Sequence, residues 1–407
     1  MLSLAKRLKL AAYVLIAVGF LVPFGLSRWK GTTLDHHPWG VVVTAITWAA
    51  AILIEYRVYA SGRTGSGIPL WRRLCDFVGR GAAVWLLLGI AFGFVYFPTV
   101  SKTFFGTDFN AVLAITLAVM GIQISLAAWR QLVRDVRAVI TVVLLRWIVM
   151  PLVGYCVAYV AFHPFMSAST AQQLAVGMIL LCTSPSGAAS NSMTLISEGD
   201  LALSVSATTV NVLIAPFLQP VLVRLLAGGS THVDASGMFL QLVEYVLAPV
   251  VIASIVGVLA PKFVEKIKPT LPAIAVLSLA CVLMGTVSKG AATILTNLSI
   301  MGFVIAACIV HGLIGMLLGY FLPKYFGMNH RQRVASTFEV GIENAAIAPA
   351  LALAFFSPLA LIPAVVYGKT QNLLAVTIFV PWFQRKAEAQ LTVPAGEPRL
   401  EGSGIPS

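Results

Sequence analysis

The chain has 407 residues, 59% of them hydrophobic and 10% charged, with mean hydropathy +0.92 and a formal net charge of +12. A soluble domain carries about a quarter charged residues, so the composition excludes an ordinary soluble enzyme or binding module. The apolar residues come in blocks of roughly 18–25, the length an α-helix needs to cross a bilayer.

In chain order the pattern predicts spans at 10–26, 40–58, 81–98, 109–127, 137–161, 172–194, 201–226, 238–260, 271–289, 299–321, 332–356 and 359–384. The fold class is all-α integral membrane. With the N-terminus inside, 20 of the 27 basic residues fall on cytoplasmic segments and 5 on outer ones. Lys and Arg concentrate on the cytoplasmic side of membrane proteins, which places both termini in the cytoplasm and the protein in the cell (inner) membrane. The +12 charge is thereby a matter of topology, and no nucleic-acid partner is expected. Lys6, Arg7 and Lys9 precede the first span as in a signal peptide, but no A-x-A-like site follows, and the span counts as a retained anchor.

Residues 1–80 read as an extra N-terminal transmembrane hairpin with a basic linker containing Gly62, Gly65 and Gly67. Residues 385–407 read as a disordered cytoplasmic tail. Between them lie two sets of five spans, 81–226 and 238–384. Residues 146–155 and 311–320, 165 apart, share Leu, Gly and Tyr in register, and the next helix of each set is interrupted, around Pro185-Ser186-Gly187 and around 339–344. Five is odd, so the second set runs inverted relative to the first. Inverted repeats with matching broken helices are a secondary-transporter architecture, with substrate and ion sites at the breaks. Cys75, Cys156, Cys182, Cys281 and Cys308 are scattered, with neither metal nor disulfide spacing.

Glu339 lies deep in an apolar span, where a charge costs at least about 2.5–3.5 kcal/mol and marks a functional site. Ser190 and Asn191 sit at the first break, and Ser204 and Thr208, spaced i, i+4, share one face of the following helix. Four neutral oxygens and one carboxylate suit a hard monovalent cation; softer metals call for sulfur or imidazole. Taken singly, Ser, Thr and Asn would glue helices together at about 0.6 kcal/mol per hydrogen bond. Together with Glu339 and two breaks they favour a cation site. Arg146 and Lys369 are further charges inside predicted spans.

Residues 183–191 (Thr-Ser-Pro-Ser-Gly-Ala-Ala-Ser-Asn), 199–205, 211–216 and 339–344 resemble the bile acid:sodium symporter family, over about residues 80–384. The resemblance implies panel and core domains, two broken helices crossing in the core, and Na⁺-coupled symport of a small organic anion, bile-acid-like or another carboxylate, by alternating access. It implies a first Na⁺ site at Ser190, Asn191, Ser204, Thr208 and Glu339. It also implies a second site, on Glu339, the carbonyls of Val340 and Ile342, and two glutamines. Here those two positions hold Glu343 and Arg146, of complementary charge, so a guanidinium takes the place of the second ion and one Na⁺ moves per cycle. Lys369, with Asn344, Gln371 and Asn372, is assigned to the anion. The competing arrangement pairs Lys369 with Glu343 and gives Arg146 to the substrate. A proton-coupled transporter or Na⁺/H⁺ exchanger of the same architecture is the rival function; an exchanger would want adjacent carboxylates in a span. An intramembrane enzyme is the rival from another class, but no GxSxG motif is present and His311 has no evident partner. The lipid bilayer is an expected partner, and no oligomeric state follows.

Overall fold

The computed structural model describes residues 47, 49–50, 52–54, 69–80, 82–95, 109–122, 124, 134–229 and 231–391. The first predicted span, most of the second, the glycine-containing linker and the segment after 391 lie outside the described residues. From Leu70 onward the elements are α1 (Leu70–Arg80), α2 (Ala82–Val95), α3 (Phe109–Ile122), α4 (Val136–Phe162), α5 (Ala168–Cys182), α6 (Ala188–Ile196) and α7 (Leu201–Ala227). They continue as α8 (Ala235–Leu259), α9 (Pro261–Ile267), α10 (Leu271–Thr296), α11 (Met301–Phe321), α12 (His330–Gly341), α13 (Ile347–Phe355) and α14 (Pro358–Leu374, Ala375–Phe379 and Val380–Leu391). Six helices among the described residues are long and apolar enough to cross a membrane. Their outer faces carry exposed Leu152, Tyr159, Leu225, Ile252 and Leu259, while Arg146, Glu339 and Glu343 are buried. Apolar outside with charge inside is the arrangement a bilayer selects. The protein is an all-α integral membrane protein.

Two boundaries differ from the sequence expectation. Residues 70–80, placed in the basic linker, form helix α1; Arg72 and Arg73 are exposed while Phe77 is buried, and the helix packs on α10. The tail from 385 stays helical to Leu391, because nothing between Arg385 and Leu391 breaks a helix.

Six of the described helices start on a side-chain cap. Asp135, Ser167, Asp200, Asp234, Asn329 and Ser357 each accept a first-turn N–H of α4, α5, α7, α8, α12 and α14. Three wide i→i+5 turns interrupt long spans, at Leu145–Val149, Val243–Leu247 and Ala375–Phe379, each shortly before a proline: Pro151, Pro249 and Pro381. Proline lacks an N–H and crowds the preceding turn, and a π-bulge is one way to absorb this.

α2 packs along α10, and α3 along both α8 and α10. Gly89 and Gly93, four apart on α2, let the backbones meet: a Cβ at either would come within 2.6 Å of the Ala280 or Met284 carbonyl. The other group surrounds the two broken helices. α4 packs on α5 and α11, α11 on α12 and α14, and α5 on α14. The breaks meet each other: Ser186 and Glu343 form an isolated antiparallel bridge, and Asn344 N–H donates to Pro185 O at 2.9 Å.

Candidate functional site

At the meeting of the breaks, each half-helix exposes one polar end. α5 and α12 end there and offer carbonyls; α6 and α13 begin there and offer N–H groups. The carbonyl ends are claimed by side chains. Arg146 Nη1 donates to Val340 O at 3.1 Å, and Nη2 donates to Ser184 O. Tyr367 donates to Gly341 O at 2.7 Å, and Gln219 to Leu180 O at 3.2 Å. At the N–H ends, Asn344 Oδ1 accepts from Ala346 and Ile347, whereas no side chain caps α6 at Gly187.

Glu339, fully buried on α12, gathers the predicted cation ligands. Its Oε1 accepts from Ser190, from Ser204 at 2.7 Å and from Thr208 at 2.8 Å. Asn191 Oδ1 stands beside them, an alternative acceptor for the single hydroxyl hydrogens of Ser204 at 2.8 Å and Thr208 at 3.3 Å. All five residues are thus brought together. Ser186, absent from the expected set, donates to Oε2 at 2.7 Å. It is held by Asn211 Nδ2 at 3.1 Å, and Asn211 Oδ1 accepts from Trp147 at 2.9 Å. Asn211 continues the i, i+4, i+7 face of Ser204 and Thr208, a signal that could have found it.

The hydroxyls have other acceptors within reach. Ser190 also faces Gly187 O at 2.8 Å, and Thr208 faces Ser204 O at 3.0 Å. Rotating their hydrogens to these carbonyls turns oxygen lone pairs toward a cation beside Glu339. The donor set is all oxygen with one carboxylate, and so fits Na⁺.

Glu343 has a different environment four residues on. Its Oε1 accepts from Arg146 Nη1 at 3.1 Å and from His311 Nε2 at 2.9 Å, with all three side chains sealed from solvent. His311, without an evident partner in the sequence, therefore has one. A carboxylate opposite Nε2 places the ring hydrogen there, and Nδ1 is left without a partner. Arg146 rather than Lys369 holds Glu343, so the competing pairing is not formed.

The four residues assigned to the anion line one cavity of about 140 Å³. It lies between the breaks, α14, and the faces of α3 and α10 bearing Thr116, Leu117, Ala275 and Leu279. Gly187, Ala188 and Ala189, at the uncapped start of α6, line it as well. Lys369 is half-buried there, with no ion pair among the described residues. Gln371 is otherwise engaged: it accepts from Glu343 N–H at 2.8 Å and donates to Glu343 O at 2.9 Å, clasping the break like a second strand. Asn344 is likewise occupied with α13, and Asn372 donates to Gly368 O at 3.3 Å while its Oδ1 has no partner.

The Sodium Bile acid symporter family model matches residues 111–297. An uncharacterized sodium-dependent transporter of Bacillus subtilis, YocS, is 30% identical over 320 residues, covering 78% of this chain and 96% of that protein. A probable sodium/metabolite cotransporter of rice chloroplasts, BASS2, is 29% identical over 374 residues, covering 86% of this chain and 84% of that protein. The BASS1 protein of Arabidopsis thaliana chloroplasts, carrying the same description, is 28% identical over 326 residues, covering 78% of this chain and 77% of that protein.

Proposed function

Since this chain belongs to the sodium bile acid symporter family and is a Na⁺-linked membrane transporter, not an enzyme, we propose that it couples one Na⁺ to one small organic anion in symport by alternating access. The observation that carries this reading is the buried Glu339 at the crossover, held by neutral hydroxyls. Ser190, Asn191, Ser204, Thr208 and Glu339 bind the ion, and Ser186 orients the carboxylate. Arg146 stands in for a second ion: it neutralises Glu343 and reaches the Val340 carbonyl, which a second Na⁺ would otherwise use. We assign both termini to the cytoplasm of the cell membrane, and residues 81–226 and 238–384 to inverted repeats. The reciprocal packing of α2 on α10 and α8 on α3 supports the repeat.

The anion binds in the cavity beside Lys369. Two half-helix N-termini and an ammonium supply positive potential there, and the backbone N–H groups near Gly187 are uncapped donors. Asn344 and Gln371 shape the wall, while the free atom of Asn372 is its amide oxygen, an acceptor suited to a hydroxyl or N–H of the ligand and not to its carboxylate. A cavity of about 140 Å³ falls below the roughly 300–1,000 Å³ of sites for drug-sized ligands, so the substrate is a carboxylate of a few carbons rather than a steroid. The test is uptake of radiolabelled short-chain carboxylates into proteoliposomes under a Na⁺ or a K⁺ gradient. Equal uptake under both gradients, or no stabilisation of the purified protein by Na⁺ over K⁺, refutes the assignment. A proton gradient that substitutes fully for Na⁺ would favour the proton-coupled alternative.

A further inference from the structure

We propose that coupling is enforced by charge: only the carrier holding both ions, or neither, is electrically balanced at the crossover, and only those two forms reorient. This rests on the cation and anion sites assigned above.

Four formally charged side chains meet at the crossover or line its cavity: Arg146, Glu339, Glu343 and Lys369. Arg146 and Glu343 cancel in direct contact at 3.1 Å. His311 donates to the same carboxylate oxygen through Nε2 and keeps an unpartnered Nδ1, and with an uncharged ring the three-way tie carries no net charge. The other two charges each lack a counter-ion. Glu339 is met by hydroxyls and by no cationic side chain, and Lys369 by no carboxylate, among the described residues. One positive and one negative charge are missing.

The four loading states then differ in charge. The empty carrier holds Glu339 and Lys369, which offset each other. Na⁺ alone leaves Lys369 uncompensated at +1, and the anion alone leaves Glu339 uncompensated at −1. With both bound, the balance returns to zero. In a low-dielectric interior an unbalanced charge interacts strongly with its surroundings, and its penalty at the bilayer centre corresponds to slowing on the order of 100-fold. Slippage of either ion alone is suppressed with no mechanical latch. The fixed Arg146–Glu343 pair makes this rule possible, because it contributes the same zero to every state.

The test is exchange of radioactive Na⁺ across proteoliposomes holding the full chain, with Na⁺ on both sides and no organic anion. The wild type is expected to exchange little. In Lys369→Met the Na⁺-bound form is balanced, so exchange should rise on the order of 100-fold. Net uptake into Na⁺-free vesicles should stay slow, because the empty variant carries −1. Lys369→Arg keeps the charge, so its anion-free Na⁺ exchange should stay as low as the wild type's; Lys369→Gln serves where Lys369→Met folds poorly. Na⁺-specific thermal stabilisation is measured on each protein. If the neutral variants still bind Na⁺ yet exchange it no faster than wild type, or the wild type exchanges Na⁺ freely without anion, the charge rule is overturned and the cation site stands. If Na⁺ stabilises none of the proteins, the site assignment itself fails.

Discussion

Glu339 and Glu343 lie four residues apart, and both are buried, yet their surroundings differ in kind. Around Glu339 stand Ser186, Ser190, Ser204 and Thr208, groups that donate hydrogen bonds but bring no charge. Around Glu343 stand Arg146 and His311, with a full guanidinium charge at 3.1 Å. Neutral donors leave a carboxylate able to bind and release a mobile cation. A fixed guanidinium satisfies the carboxylate permanently and cannot leave. On the proposed reading, one crossover holds two acidic residues and reserves a single one for transport.

Removing the fixed cation should have the largest effect. Arg146→Met leaves Glu343 buried with only His311, and breaking a buried pair from one side costs about 3–5 kcal/mol. It also orphans the Ser184 and Val340 carbonyls. Thermal denaturation in detergent should show a correspondingly large loss. The double variant Arg146→Gln, Glu343→Gln removes both charges and should recover most of it. If the guanidinium stands where an ion would, the double variant should also raise the Hill coefficient for Na⁺ binding from near one to above one, and because the doubly loaded form then carries +1, its uptake should slow. A double variant as unstable as the single one would show that the two residues are not each other's partners.

Glu339→Gln should have the next largest effect, and of the opposite kind. It keeps the shape of the site and removes its charge, so stability in K⁺ should hold or rise, as a buried carboxylate without a counter-charge is lost. Stabilisation by Na⁺, worth about 2.7 kcal/mol at 100 times Kd, should vanish along with Na⁺-driven accumulation. Unchanged Na⁺ dependence would mean the ion binds elsewhere.

Much of this contrast was legible in the sequence, for physical reasons. Charged residues in apolar spans are costly, so Glu339, Glu343, Arg146 and Lys369 stand out, and the complementary substitution at positions 146 and 343 pointed to a pair. Ser204 and Thr208 share a helical face by spacing alone. The residues that were missed sit where periodicity ends or acts at a distance. Ser186 lies in a break, where no helical repeat fixes its direction. His311 reaches Glu343 across 32 residues and from another helix, a proximity set by packing of α11 on the crossover. Gln371 was assigned to the anion, but its amide matches the open peptide of Glu343, whose N–H and C=O no helix satisfies. The helix at 70–80 was hidden because its arginines read as linker, although Phe77 and its neighbours face α10.

His311 gives the smallest effect and the finest test of the contrast. His311→Phe keeps a ring of similar size against Tyr367, 5.1 Å away between centroids, and removes the Nε2 hydrogen bond to Glu343. A hydrogen bond to a charged group contributes about 1.5–3 kcal/mol. The same substitution also removes the buried, unpartnered Nδ1, whose desolvation costs about 1–3 kcal/mol, so the net loss should be about 1 kcal/mol or less. Arg146 remains to neutralise Glu343, and the Na⁺ Hill coefficient should stay near one. If the ring serves only as a hydrogen-bond donor through Nε2, it adds no proton to the cycle, and the pH profile of uptake between about pH 6 and 8 should match the wild type. A profile that flattens in His311→Phe would show that the imidazole carries a proton during transport. Glu343 would then be a second ion site, loaded by H⁺ through His311, and the division between one mobile and one fixed charge would not hold.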